Sequence, residues 1–543
     1  MGKAIAGLAL AAAALVVELI AAWLLFAPLS EGTGTQTPPN FVVIVTDDLS
    51  KRMYDDSTNL RQGSETVGIE FTNAFAPTPN CCPARATILT GRYTHNHHVW
   101  QNKWQTDDGK LLYGGERMFL ERGLENYTVA YRLKNQAGYT TSLMGKYLNG
   151  YGDNDGGPNG DDPNAPPDEP HEDGSYKTRV PEGWSDWHAW VGGGLTMNDN
   201  GVLTCTADNQ PGNCPDGTSQ PTATDYHQTD VLKSKAKAFV KDHAGQGNPF
   251  FLYIADRVPH NENPPADRHV GSHEDAALPQ PPNFNEADVS DKPGYISRDD
   301  PMPDQQDGCA SIDDTADSKC WNSKEYSQHY WRSGLEGLES VNELYDGIVA
   351  TLRTTGELDN TYIFFVSDNG IHLGEHRQPY GKNSPYFEDI NIPFNVRGPG
   401  IPQDVELPHL VGLQDLAPTI MDLAGLSIPS GMDGRSLKPL FSDTPPPESS
   451  WRKRMLIEGY EGGGANKQKS SPDDTPEWSG VVTYDRKYAE YVTGEEELYD
   501  LNTDPYELTN TASSNPAAVT DLHNYLTNLK SCAGSTCRSA EDD

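Results

Sequence analysis

Four short apolar runs, rich in β-branched and aromatic residues, punctuate the chain at residues 41–45, 140–144, 250–254 and 363–366. None alternates polar with apolar side chains, as a strand with one wet face would. Unbroken runs of this length are the mark of strands covered on both faces. Helical stretches lie between them, at residues 125–138, 230–243 and 326–354. Strand–helix alternation predicts an α/β fold, a mostly parallel sheet sandwiched by helices. From about residue 445 the pattern changes. "GVVTYDRKYAEYVTGEEELYDLNTDPYELTN" reads as short antiparallel strands with tight turns, followed by a helix at residues 517–529. The expected organisation is a main α/β domain over 40–444 and a smaller α+β subdomain over 445–543.

Residues 4–28 are apolar apart from Glu18 and follow Lys3. The stretch is long for a signal-peptide core and close to the roughly 20 residues that span a bilayer. Residues 1–30 therefore read as an export signal that can stay on as an N-terminal membrane anchor, with 31–39 as a polar linker. Residues 151–180, rich in Gly, Pro and Asp, read as a flexible loop without EF-hand spacing. Residues 261–325 read as a similar insert that shapes a site entrance.

The formal net charge of −38 changes the picture of partners. It shows no basic stripe and so argues against nucleic acid. It suits a soluble, exported protein. Eight cysteines agree with export. Cys205/Cys214, Cys309/Cys320 and Cys532/Cys537 fall into close pairs in Gly-, Asp- and Ser-rich loops, which predicts local disulfides with their connectivity left open. Cys81 and Cys82 remain, adjacent, and disulfide geometry disfavours a bridge between neighbours.

The residues that follow each apolar run carry the chemistry. They are Thr46-Asp47-Asp48, then Gly145-Lys146, then Ala255-Asp256-Arg257-Val258-Pro259-His260, then Ser367-Asp368-Asn369-Gly370. Ligands of open α/β sheets bind beyond the carboxyl ends of the strands. Four polar ends of this kind point to one shared site. Adjacent Asp47 and Asp48 would repel each other without a cation. Asp368 and the amide oxygen of Asn369 complete a set of hard oxygen ligands that suits Ca²⁺ or Mg²⁺ and not Zn²⁺. In "NCCPARATILTGRYTHNHHV" Pro83 fits a first helical turn, which puts Cys81 at a helix N-terminus, where backbone N–H groups favour negative charge.

Cys81-Cys82-Pro83-Ala84-Arg85, continuing to Leu89-Thr90-Gly91-Arg92, resembles the sulfatase signature C-x-P-[SA]-R-x-x-x-[LT]-T/S-G-R. The resemblance extends over most of the chain. Asp47-Asp48 and Asp368-Asn369 match the family's metal-binding pairs, Gly145-Lys146 its first active-site lysine, His260 a substrate-facing histidine, and Lys382 its second lysine. "CCP", "THNHH" and "GKYLNGY" resemble the glucosamine-6-sulfatase-like branch. One departure is Leu148, where many sulfatases carry a histidine. His97 or His98 is expected to cover the pocket there, with His372 as a further substrate contact.

The resemblance implies an alkaline-phosphatase-like fold and a type I, formylglycine-dependent sulfatase. Cys81 is then converted to an aldehyde by a formylglycine-generating enzyme, and Ca²⁺, ahead of Mg²⁺, is the metal, with Cys81 among its ligands. One hydroxyl of the hydrated aldehyde attacks sulfur and the other releases sulfate. Arg85 would hold the nucleophile and metal ligands through its fork of donors. Lys146 and Lys382 would neutralise the sulfate, and either lysine or His260 would protonate the leaving oxygen. A divalent cation with Arg85, Lys146 and Lys382 outweighs Asp47, Asp48 and Asp368, so the pocket is net positive inside a negative protein. The substrate class implied is a sulfated small molecule or glycan. A formylglycine-dependent phosphonate or phosphodiester hydrolase, and an inactive surface carbohydrate-binding protein, are the alternatives.

Overall fold

The computed structural model describes residues 38–57, 59–60, 68–102, 106–107, 110–111, 114–152, 179–191, 196–200, 202–205, 227–261, 263–297, 300–305, 320–460 and 475–543. The apolar segment 4–28, the linker 31–39 up to residue 37, and most of the 151–180 insert lie outside them. Among the described residues no helix is long and apolar enough to cross a membrane. Residues Pro39–Asp543 form one compact unit.

Ten strands build the main sheet: β1 (Asn40–Asp47), β2 (Ile69–Phe71), β3 (Thr140–Gly145), β4 (Asp186–Val191), β5 (Thr196–Asp199), β6 (Val202–Cys205), β7 (Phe250–Pro259), β8 (Thr361–Ser367), β9 (Phe394–Arg397) and β10 (Val405–Leu407). Their order is β10-β2-β9-β8-β1-β7-β3-β4-β5-β6. The central five, β8, β1, β7, β3 and β4, are parallel, and the four apolar runs of the sequence are four of these. Antiparallel pairings at β8–β9, β9–β2, β4–β5 and β5–β6 extend the sheet outward. Most of these added strands are three or four residues long, too short for periodicity to reveal.

The continuity of the β1 run has a direct cause. Phe41, Val43 and Val45 enter one core, with Ala84 and Ile88 of α1 (Cys81–Thr90) and Leu133 of α2 (Val129–Ala137). Val42 and Ile44 enter the other, with Leu232 and Phe239 of α3 (Gln228–His243) and Leu338 and Val341 of α4 (Lys324–Thr355). Helices thus cover both faces and every β1 position is buried. The helices begin and end where local chemistry dictates. Thr128 and Ser323 accept the N–H of Tyr131 and Tyr326 as N-caps of α2 and α4. Gly138 and Gly356 stop them in the left-handed conformation.

A second sheet follows, the antiparallel meander of β11 (Arg454–Gly459), β12 (Trp478–Thr483), β13 (Arg486–Tyr491) and β14 (Glu496–Asp500). Helix α5 (Pro516–Lys530) lays Leu522, Leu526 and Leu529 in a core shared with Met455, Ile457 and Val481. The last helix, α6 (Ser535–Asp542), is anchored by fully buried Arg452, whose Nη2 lies 2.6 Å from Asp415 Oδ1 and whose Nε lies 3.5 Å from Glu541 Oε2. Cys532 and Cys537 form a disulfide with Cα atoms 4.8 Å apart. Cys320 is disulfide-bonded, and its expected partner Cys309 lies outside the described residues, as does Cys214, the expected partner of Cys205.

Candidate active site

Strand register brings the polar strand ends together. Thr46 of β1 pairs with Ser367 of β8, and Asp47 pairs with Pro259 of β7. The chain then turns at Asp48, whose φ of 66° is the left-handed conformation that Asp tolerates better than most residues. The turn lets Asp48 N–H donate to Asp368 Oδ1 at 3.2 Å. At the end of β3, Gly145 has φ 102°, and a Cβ there would sit 2.0 Å from the Ala255 carbonyl oxygen of β7. Only glycine allows that crossing, which delivers Lys146 to the same edge.

Cys81 opens α1 and is 1% exposed. Its Sγ lies 3.5 Å from Asp47 Oδ1, and the Lys382 ammonium donates to it at 2.8 Å. Burial pushes the Cys81 thiol up to about 11, against the fields of Lys146 and Lys382. An unmodified thiol here is therefore protonated at neutral pH and a weak nucleophile. Cys82 is fully buried, and its N–H donates to Asn102 Oδ1 at 2.7 Å.

The charged groups interlock. Arg85 reaches from α1 to Asp368 Oδ2 through Nε at 2.9 Å and Nη2 at 2.8 Å, with Asp47 Oδ2 at 3.7 Å. Lys146 Nζ donates to Asp47 Oδ2 and Lys382 Nζ to Asp48 Oδ1, each at 2.5 Å. Burial works to raise the Asp47 carboxyl, but Lys146 and Arg85 hold it well below the usual carboxylate range. His260 follows β7 with its Nε2 3.8 Å from Asp48 Oδ2. Burial lowers its basicity despite the Asp48 and Asp47 carboxylates, so it is neutral near pH 7.

The donor set fits a hard divalent cation. Ligand atoms of Asp47, Cys81 and Asp368 lie within 4.8 Å of one another, as do those of Asp47, Asp48 and His260. Asp48 Oδ2 and Asn369 Oδ1 are buried, and neither takes a hydrogen bond from a described residue. Buried oxygens in that state are costly unless something electropositive meets them. The Asn369 amide is oriented by donating through Nδ2 to Asp48 Oδ1 at 2.7 Å and to the Gly370 carbonyl at 2.8 Å, which leaves its oxygen free.

Of the three histidines expected at the pocket, His97 meets a different outcome. His97 is fully buried, with Nδ1 accepting from Val99 N–H at 3.0 Å and Nε2 3.1 Å from Thr87 Oγ1. Both ring nitrogens are spent in packing, so His97 does not cover the pocket. His98 packs edge-on to Trp100, ring centroids 5.6 Å apart. His372 is buried, with Nδ1 2.9 and 3.0 Å from the two oxygens of Asp389. Its backbone exchanges hydrogen bonds with Gly381, and Asp389 also accepts from Ser384 N–H and Oγ at 2.8 and 2.6 Å. His372 and Asp389 thereby fix the loop that carries Lys382. Asp389 was not singled out in the sequence, where nothing distinguishes it from a surface acid beside Glu388. Leu148 is buried in the main core, so this position is apolar.

At the strand ends three cationic side chains interlock with three carboxylates beside a helix N-terminus and oxygen donors suited to a hard cation, an arrangement that fits a hydrolase of anionic esters. The chain belongs to the sulfatase family, whose model matches residues 39–426; a second model, the N-sulphoglucosamine sulphohydrolase C-terminal region, matches 374–531. It is 33% identical to an arylsulfatase of Volvox carteri over 94% of this chain and 77% of that protein. It is 30% identical to the N-acetylglucosamine-6-sulfatase of Homo sapiens over 92% of this chain and 86% of that protein. The fold is that of a solved structure in complex with its substrate D-glucosamine-2-N,6-O-disulfate, with a TM-score of 0.68, 21% identity, and coverage of 93% of this chain and 99% of that one. The protein hydrolyses sulfate esters.

Proposed function

We propose that the protein is an exported, formylglycine-dependent sulfatase acting on a sulfated carbohydrate or aryl sulfate, with Ca²⁺ held by Asp47, Asp48, Asp368 and Asn369. One observation carries this reading: Cys81, three carboxylates and two ammonium groups converge on one buried point at the helix N-terminus. Converted to formylglycine and hydrated, position 81 would supply a hydroxyl nucleophile, and a cation held by Asp47, Asp48, Asp368 and Asn369 would supply Lewis acidity.

The chain's own side chains do the rest. Lys146 and Lys382 flank position 81 and neutralise the charge that builds on the sulfate oxygens. Arg85 holds Asp368 by two donors and so fixes the ligand cradle. His260, whose Nε2 lies 3.8 Å from Asp48 Oδ2, is with the two lysines a candidate for proton transfer to the leaving oxygen. The relatives with glucosamine-6-sulfatase activity and the carbohydrate complex of the fold neighbour favour a sulfated glycan over an aryl ester. Export is supported by the Cys532–Cys537 disulfide and the apolar segment at 4–28.

The test is a panel of glucosamine 6-sulfate, other sulfated monosaccharides, nitrocatechol sulfate and an aryl phosphonate, with and without chelator. Chelator-sensitive turnover of the sulfates is expected. Turnover of the phosphonate in preference to every sulfate would overturn the reading.

A further inference from the structure

Acidic residues outnumber basic ones 79 to 41 in this chain. Arg179, Arg268, Arg435 and Arg452 each meet a carboxylate at salt-bridge distance. Arg92, Arg122 and Arg132 do not: none of these three guanidiniums forms a salt bridge with, or donates a hydrogen bond to, a described residue. The acids of their own segment are committed elsewhere, Glu121 to Arg117, and Glu116 and Glu125 to Arg179.

The three arginines converge from three elements. Arg92 follows Gly91 at the end of α1, Arg122 caps the helix Gly115–Glu121, and Arg132 lies on α2. Those helices share one core through Leu89, Phe119 and Leu133. The Arg92 guanidinium lies 4.6 Å over the Tyr127 ring, just before α2. Burial and then the Arg92 charge lower the basicity of Arg132, and burial, Arg122, His95 and Arg92 lower that of His98, so these groups stand within one another's field. Nε of Arg92, Nε of Arg132 and Nδ1 of His98 are buried without a hydrogen-bond partner among the described residues. Arg122 is exposed, and Arg92, Arg132 and His98 are partly exposed.

Like charges held together cost the folded state energy, and an anion that joins them removes that cost. The planar fork of a guanidinium matches a sulfate or a carboxylate. Tyr127 is 43% exposed and sets an aromatic ring beside these charges, a feature that a sugar ring uses and a bare inorganic anion does not.

We propose that Arg92, Arg122 and Arg132, with the Tyr127 ring, form a second anion site that holds a sulfate or carboxylate of a glycan chain away from the cleft. The choice of a sulfated glycan rests on the sulfatase reading above. α1 has ten residues, so Arg92 stands about 15 Å from Cys81 along the helix. The net charge of −38 repels a polyanionic chain at long range, but it is damped beyond about 8 Å at physiological salt, and within that distance the arginines set the field.

The experiment reads binding, not turnover. A fluorescently labelled dextran sulfate oligosaccharide is titrated with the full-length wild type, with Arg122→Gln/Arg132→Gln, with Arg122→Gln alone and with Lys382→Ala. Thermal unfolding of each checks folding, and neither arginine holds a partner whose loss would lower Tm. The double variant should lose about tenfold in affinity and the single one about threefold, as loss of contacts to a charged group would. Lys382→Ala, in the cleft, should lose about twofold at most, and added salt should weaken wild-type binding more steeply than binding to the double variant. Wild-type affinity in both arginine variants, or a loss in Lys382→Ala as large as theirs, overturns the second site. Displacement of the probe by inorganic sulfate at an equal concentration of sulfate groups, or tighter binding of a single-stranded DNA of equal charge, overturns the glycan assignment. Turnover of nitrocatechol sulfate by the same wild-type sample tests the sulfatase reading separately, because probe affinity needs no catalysis.

Discussion

Lys382 Nζ lies 2.8 Å from Cys81 Sγ and 2.5 Å from Asp48 Oδ1, so one ammonium joins the nucleophile position to the ligand cradle. Its own basicity follows from that position: burial works against the charge, and the Asp48 and Asp47 carboxylates more than restore it, so Lys382 stays protonated throughout the physiological range. A fixed positive charge at this point serves a developing oxyanion without any reorganisation. Lys382→Ala should lower kcat by about 10²–10³ with intact folding, by analogy with loss of one oxyanion donor. Steady-state kinetics on nitrocatechol sulfate checks this, and a fall of only a fewfold would remove Lys382 from the chemistry.

The carboxylate cradle makes a second prediction. Chelator treatment should abolish activity and lower Tm, and added Ca²⁺ should restore both, because a cation bound only by the native state stabilises it by mass action. Asp368→Asn should weaken Ca²⁺ binding and also strip Arg85 of the carboxylate it holds at 2.8 Å. Calorimetric titration of metal-free protein with Ca²⁺ reads the first effect directly. Full activity in excess chelator would contradict the metal assignment.

Buried Arg452 joins the core of the molecule to its last helix, and its partners Asp415 and Glu541 are as buried as it is. Arg452→Met leaves buried Asp415 without its cation, while Glu541 keeps Arg435 at 3.0 Å. Removing one partner of a buried pair typically costs about 3–5 kcal/mol, and that is the expected loss in denaturant unfolding. A loss below about 1 kcal/mol, the value of an exposed pair, would show that the C-terminal helix is not anchored here.

His95 gives a pH signature. Burial alone would lower its pKa, but Glu458 and the Cys532 carbonyl raise it to about 9. A folded pKa above the unfolded value of about 6.5 stabilises the native state fully below pH 6.5, and that stability is lost as pH rises through about 9. The wild type should therefore exceed His95→Gln by roughly 2 kcal/mol at pH 6, with the gap closing by pH 10. A gap that is constant across this range would mean that the imidazolium is not the source.

Much of this was legible before any coordinates, and the reasons are physical. Residues 41–45 announced β1 because both of its faces are buried, so no polar residue interrupts it. The strand ends announced the cleft, since Asp47, Lys146, His260 and Asp368 have no reason to follow apolar runs unless a ligand awaits them there. Lys382 was visible only through family resemblance, because it sits on an irregular loop whose position depends on His372 and Asp389. The outer strands β5, β9 and β10 escaped, being too short to show a period. His97 misled because a histidine beside a signature reads as functional, whereas its neighbours Thr87 and Val99 consume both ring nitrogens.

The central claim is chemical: the residue at position 81 works as an aldehyde hydrate and not as a thiol. Mass spectrometry of the peptide bearing Cys81, taken from active enzyme, tests it most directly. The account predicts a peptide that has lost a sulfur and two hydrogens and gained an oxygen, in proportion to the specific activity of the preparation. An intact thiol at full occupancy in protein that still hydrolyses sulfate esters would contradict it.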